Sequence, residues 1–156
     1  MKFDLILAAY IAALYGNIFV QALIVAICAD MVFGCLRAIK QRCWNSSVGI
    51  DGGIRKVGMV SAVLLLTMLD MVLNVNLIGC VNEEALGFLS QLGIVKLGIT
   101  ELFSFLFFLF EGISVLKNML LCGIPIPSGI RKKLSNWMHD MTDETDEDLE
   151  DPAAAH

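Results

Sequence analysis

The sequence predicts an all-α integral membrane protein: three transmembrane helices, N-terminus outside and C-terminus cytoplasmic, then a short amphipathic interfacial helix and a disordered acidic tail. Three observations carry that prediction. Of the 156 residues, 57% are hydrophobic and only 17% are charged, against about 25% charged in soluble domains, and the mean hydropathy is +0.74. A soluble chain of this length buries one modest core and has nowhere to hide so much apolar side chain. The apolar residues also gather into three long stretches, and the loops between them differ in the sign of their charge.

Residues 1–127 form the predicted membrane domain, with spans at about 5–36, 57–82 and 97–121. At roughly 1.5 Å per residue each exceeds the roughly 30 Å hydrocarbon core, and a backbone without water partners must satisfy itself as helix. The first connection carries Arg37, Lys40, Arg42, Arg55 and Lys56 against the single acid Asp51, whereas the second carries Glu83 and Glu84 against Lys96. Basic loops stay in the cytoplasm, which places the first connection and the C-terminus inside and the N-terminus outside. The formal net charge of −5 hides this asymmetry, because much of the acid lies in the tail TDETDEDLEDP.

Pro125 and Pro127 end the third span. Ser128 then caps a predicted helix over 128–141, in which Ile130, Leu134, Trp137, Met138 and Met141 recur at helical spacing. Its Arg131, Lys132 and Lys133, with Trp137, are candidates for binding the anionic inner leaflet. Residues 142–156 form the acidic tail, whose final PAAAH reads as a tag remnant. The first apolar run is too long for a cleavable signal peptide. The five cysteines form no CxxC pair and have no neighbouring His, which predicts reduced, hydrophobe-like thiols and no metal site.

The polar residues inside the spans are the candidate functional positions. In the first span Ala22, Ala26, Asp30, Gly34 and Ala38 recur every four residues, a ladder that lets another helix approach closely and is expected to hold protomers together. In the second, Thr67, Asp70 and Asn74 share a stripe. In the third, Glu101, Ser104, Phe108, Glu111, Val115 and Asn118 form a largely polar seam, with Phe103, Phe105, Phe107, Leu109 and Phe110 mostly off it. An ionisable side chain at the bilayer centre costs roughly 2.5–3.5 kcal/mol on insertion scales. Asp70 and Glu111 fall near the middle of these spans, with no Lys or Arg expected at their depth. Two readings stay open: neutral acids that join helices within a bundle, or acids that line water inside an assembly of several protomers.

No enzyme chemistry emerges. The sequence has no Ser/His/Asp set, His139 and His156 lie outside the spans, and no cofactor, metal or nucleic-acid motif is present. GIDGG at 49–53 neither follows a strand nor opens a dinucleotide fold, and reads as a tight turn re-entering the membrane.

The segments DMVFGCLRAIK (30–40), NSSVGIDGGIRKVGM (45–59), LGITELFSFLFFLFEGISVLKNMLLCGIPIP (97–127) and MTDE (141–144) resemble the toxin-secretion/phage-lysis holin family, most closely the holin-like proteins of clostridial large-toxin loci. The likeness covers about Asp30 to Glu144 and is weak over the first twenty-odd residues. It implies a non-enzymatic protein of the bacterial cytoplasmic membrane, without cofactor, whose partners are the lipid bilayer and further copies of itself. It also implies that the assembly opens lesions releasing an endolysin or a large protein toxin. Two other functions remain compatible with the residues: a small proton- or cation-coupled transporter using the buried acids, and a non-conducting adaptor that docks partners through residues 128–151.

Overall fold

The computed structural model describes residues 2–42, 46–91, 93–125 and 127–130. The chain order is α1 (Lys2–Tyr15), α2 (Ile18–Gln41), α3 (Ser46–Leu73), a 3₁₀ turn (Ile78–Cys80), α4 (Glu83–Gln91) and α5 (Ile99–Leu121). Segments Ile18–Gln41, Gly49–Leu73 and Ile99–Leu121 are long and apolar enough to cross a membrane. Three spanning helices therefore stand, and the chain is a multi-pass membrane protein. Their boundaries differ from the sequence expectation in two informative places.

The predicted first span, 5–36, is two helices. Gly16 and Asn17 break it, and Asn17 Oδ1 accepts hydrogen bonds from the Phe19 and Val20 amides at 3.0 and 3.3 Å. An asparagine supplies the acceptor that a new helix start needs, so the chain ends α1 and caps α2 within two residues. The spanning helix is thereby moved to Ile18–Gln41, and α1 is left as a separate apolar helix of 14 residues.

The second span starts earlier than expected. Residues 49–53, read as a turn, are helical, and Cβ atoms built at Gly49, Gly52 and Gly53 would meet nothing within 4 Å. Glycine costs about 1 kcal/mol in a helix interior, less than unpaired backbone groups would cost in an apolar setting. At the other end α3 stops at Leu73, and Asn74 turns to a φ of 49°. Residues 74–82, predicted as a continuation of the α-helix, instead form a loop that contains the 3₁₀ turn Ile78–Cys80. Its return is pinned by Asn76 Oδ1, which accepts from the Ile78 and Leu97 amides at 3.1 and 3.2 Å.

In α5 Glu101 Oε2 accepts the Gly98 amide at 2.7 Å, closing the first turn. The last turn ends on Gly123 at φ 79°, with the Ile124 amide returning to Met119 O at 3.1 Å. This Schellman closure satisfies terminal carbonyls just before the prolines. The predicted interfacial helix from Arg131 onward and the acidic tail lie outside the described residues.

α2 packs most extensively on α5, and α3 joins them. Among the described residues the buried side chains include nine polar or charged ones (Asp30, Lys56, Thr67, Asp70, Thr100, Ser104, Glu111, Lys117, Asn118) and seven apolar ones. Large apolar side chains, including Val25, Leu65, Val72 and Phe110, cover the outside. This is the inverse of a soluble core and suits a protein whose outer solvent is hydrocarbon.

Candidate functional site

The buried polar residues form two layers separated by an apolar belt. On α3 a single stripe, Lys56, Met59, Val63, Thr67 and Asp70, is buried, at spacings of three and four residues. Its two ends are ionisable and its middle is apolar. Val63 packs with Val20, Leu23 and Ile27 of α2, and Leu14, Phe107 and Phe108 close around them.

The first layer lies about halfway along α2 and α5. Lys56 Nζ sits 2.5 Å from Asp30 Oδ2 and 2.7 Å from Glu111 Oε2. Asn118 Nδ2 donates to the other Asp30 oxygen at 2.8 Å. All three helices thus contribute a charged group to one point, and Glu111 is 1% exposed. Removed from water, these groups are held by mutual attraction and by hydrogen bonds to the remaining lone pairs.

The expectation that no cation accompanies the acids is therefore overturned by Lys56. The same finding overturns the shared depth of Asp70 and Glu111. Because α3 begins at Ser46 and stops at Leu73, Lys56 lies within the span and Asp70 three residues from its end. Fourteen residues of helix, roughly 20 Å, separate Lys56 from Asp70 along the axis.

The second layer lies at the opposite end, where α3 finishes and α2 and α5 begin. Asn17 Nδ2 donates to Glu101 Oε1 at 2.7 Å. Thr67 Oγ1 donates to Val63 O at 2.8 Å. Asp70 Oδ1, Thr100 Oγ1 and Ser104 Oγ are buried with no hydrogen-bond partner among the described residues. A methyl group at Gly98 would collide with Asp70 Oδ2 and come within 2.7 Å of Glu101 Oε2. The two carboxylates therefore converge on a Cα that carries no side chain. A cleft of about 440 Å³ opens here, lined in part by Asn17, Thr67, Asp70, Lys96, Thr100 and Glu101.

Of the residues predicted as intramembrane polar positions, Thr67, Asp70, Ser104, Glu111 and Asn118 are buried and Glu101 is half-buried. Asn74 departs from this set: it is exposed past the end of α3, where its Oδ1 accepts from Lys96 Nζ at 3.1 Å. The ladder Ala22, Ala26, Asp30, Gly34 and Ala38 is buried or half-buried. It faces α5 of the same chain, for a Cβ at Gly34 would lie 3.7 Å from Asn118 Nδ2. The close approach that small residues allow is thus made at Gly34 to α5 of the same chain. Arg131, Lys132, Lys133 and Trp137 lie outside the described residues.

Sequence reasoning missed Lys56, Asn17 and Thr100. The signal for Lys56 was present: with Met59, Val63, Thr67 and Asp70 it keeps strict helical spacing. Assigning it to a basic loop cut the stripe short. Among the described residues no group of three or more His, Cys, Asp or Glu side chains comes together as a metal site.

Two comparisons with known proteins give matches. The profile of the bacteriophage holin family matches residues 9–138. The holin-like protein TcdE of Clostridioides difficile is 42% identical over 134 residues, covering 86% of this chain and 79% of the relative. No solved structure matches significantly.

Proposed function

The chain belongs to the bacteriophage holin family, which is not an enzyme family, and we propose that it homo-oligomerises in the bacterial cytoplasmic membrane and permeabilises it, releasing an endolysin or a large protein toxin. The observation that supports this reading is the pair of polar layers buried at the helix interface beneath an apolar exterior. A single protomer folded this way is solvated by lipid and carries its charges inside. One three-helix protomer is too small to enclose a wide aqueous lumen. Several protomers that part their helices and turn the seams toward a common centre give Asp30, Lys56, Asp70, Glu101 and Glu111 water in place of one another.

In the lesion state Thr67, Asp70, Glu101, Ser104, Glu111 and Asn118 line the opening, with Asn74 at its rim. The small-residue ladder and the mid-span triad hold the closed protomer together. Opening exchanges ion pairs for hydration, which offsets much of the cost of separating them. A charge released into the membrane field responds at about 2.3 kcal/mol per 100 mV, so loss of membrane potential shifts the balance between the two states. The basic segment Arg131–Lys133 with Trp137 anchors the C-terminal side to the inner leaflet, in keeping with a cytoplasmic C-terminus.

The test is regulated expression in bacteria, following membrane potential and release of a cytoplasmic reporter enzyme. The expected result is an abrupt loss of potential accompanied by reporter release. Loss of potential to small ions alone, with the reporter retained, overturns the reading in favour of a discrete transporter. Asp70→Asn and Glu111→Gln are expected to change the onset of release. Wild-type onset and lesion size in both variants would remove the acids from the opening.

A further inference from the structure

We infer that the cleft between the end of α3 and the start of α5 is a binding site for a monovalent cation, with Asp70 as its charged ligand and the hydroxyls of Thr67 and Thr100 as neutral ones. Among the side chains that line the cleft are the oxygen-bearing Thr67, Asp70 and Thr100. Asp70 is 6% exposed and Thr100 2% exposed, both line the cleft, and each has an oxygen without a hydrogen-bond partner among the described residues. Thr67, which also lines the cleft, gives its proton to Val63 O at 2.8 Å, so its oxygen keeps only the capacity to accept. Buried polar atoms are satisfied in nearly all proteins, and an unpartnered carboxylate oxygen among the costliest to leave.

The charge of the ligand follows from the partners already present. Glu101 receives two N–H donors, from Asn17 Nδ2 and the Gly98 amide, each at 2.7 Å. Lys96 also lines the cleft, but its ammonium donates to Asn74 Oδ1 at 3.1 Å. Asp70 Oδ1 is thus a carboxylate oxygen here without a donor among the described residues, and one positive charge matches it. Carboxylate and hydroxyl oxygens select hard cations. With no group of three Asp, Glu, His or Cys among the described residues, the set falls short of the multi-carboxylate cages that hold calcium. A cation seated here ties the last turn of α3 to the first turn of α5.

The site is tested on the full chain in detergent micelles by following helix unfolding on heating. Sodium chloride is the probe, exchanged against choline chloride at constant ionic strength and pH. A ligand bound only by the folded state raises the midpoint in a saturable way. The expected result is a saturable rise with sodium that Asp70→Asn abolishes. Thr100→Val, which keeps the charge and the fold, is expected to require about tenfold more sodium, a loss of about 1.4 kcal/mol.

Equal midpoints in sodium and choline, or a rise that survives Asp70→Asn, overturn the inference. So does an unchanged sodium requirement in Thr100→Val. A rise with calcium but not sodium overturns the monovalent assignment, and a midpoint that follows pH alone assigns the position to a proton. None of these readouts involves leakage, so the inference fails or holds independently of the lesion activity.

Discussion

The two polar layers are built from similar residues and solved in opposite ways. At mid-span, two acids meet a lysine and an asparagine, and both oxygens of Asp30 are occupied. At the far end, two acids converge over Gly98, and among the described residues three buried oxygens are left without hydrogen-bond partners. The difference follows from depth. Halfway through the bilayer no water is available, so charge must be compensated within the chain or not carried at all. Near the end of a span, a cleft can bring ions or water to an acid, and local incompleteness becomes tolerable. The mid-span layer accordingly compensates its charge within the chain, and the end layer borders a cleft.

Lys56→Met gives the sharpest break in this contrast. It leaves Asp30 and Glu111 facing one another without the cation, and breaking a buried pair by removing one partner costs about 3–5 kcal/mol. Reduced accumulation and a much lower unfolding midpoint in micelles are expected. The triple variant Asp30→Asn, Lys56→Met, Glu111→Gln is expected to recover most of the loss, because no unpaired charge then remains. A stable Lys56→Met protein would mean that the triad is not what holds α3 against α2 and α5.

Asn118→Ala probes the same layer more gently. It removes the 2.8 Å hydrogen bond to Asp30 Oδ1 and leaves the Lys56 contacts in place. A hydrogen bond to a charged group contributes about 1.5–3 kcal/mol, and a fall in the midpoint of that order is expected. Combined with Lys56→Met, the two losses should be less than additive, since both act through Asp30.

Gly98→Ala tests the end layer. The added methyl overlaps Asp70 Oδ2, and because that oxygen ends a short side chain, the carboxylate can yield by turning away. Overpacking of this kind costs about 1–3 kcal/mol, and the low end is expected here. Unfolding in sodium and in choline separates the effects: displacement of Asp70 should narrow the difference between them, whereas a purely local clash would lower both midpoints equally.

How much of this could be read beforehand depends on what each feature needs. The three spans follow from composition and length, and the alternation of α5 follows from its own spacing: Ser104, Glu111 and Asn118 are buried, and Phe103, Phe105, Leu109 and Phe110 are exposed. Periodicity reports which face differs but not what it meets. The pairing of Lys56 with Asp30 and Glu111 joins residues 26 and 55 positions apart, and only the relative heights of three helices bring them to one depth. Those heights turn on small boundary effects, the Asn17 cap and the helical glycines at 49–53. The same holds for the break at Asn74, which ends α3 at Leu73 and carries Asp70 from the expected centre to the edge.

The helix that the sequence merged into the first span offers the smallest of these effects and a test of how far the cooperative unit extends. Tyr10 of α1 donates its hydroxyl to Leu64 O of α3 at 2.8 Å, and Leu14 packs against the apolar belt. Most of the rest of α1 is exposed, including Phe3, Leu5, Ile6 and Ile11. Tyr10→Phe keeps the ring and removes the hydrogen bond, for an expected cost of about 0.5–1.5 kcal/mol. The global midpoint should move little, because neither polar layer depends on Tyr10. A cysteine introduced at Ile6 should nevertheless label faster in the Tyr10→Phe background if α1 is a lightly docked element that opens by itself. A midpoint shift comparable to that of Asn118→Ala, with unchanged labelling, would instead make α1 a full member of the bundle that unfolds together with α2, α3 and α5.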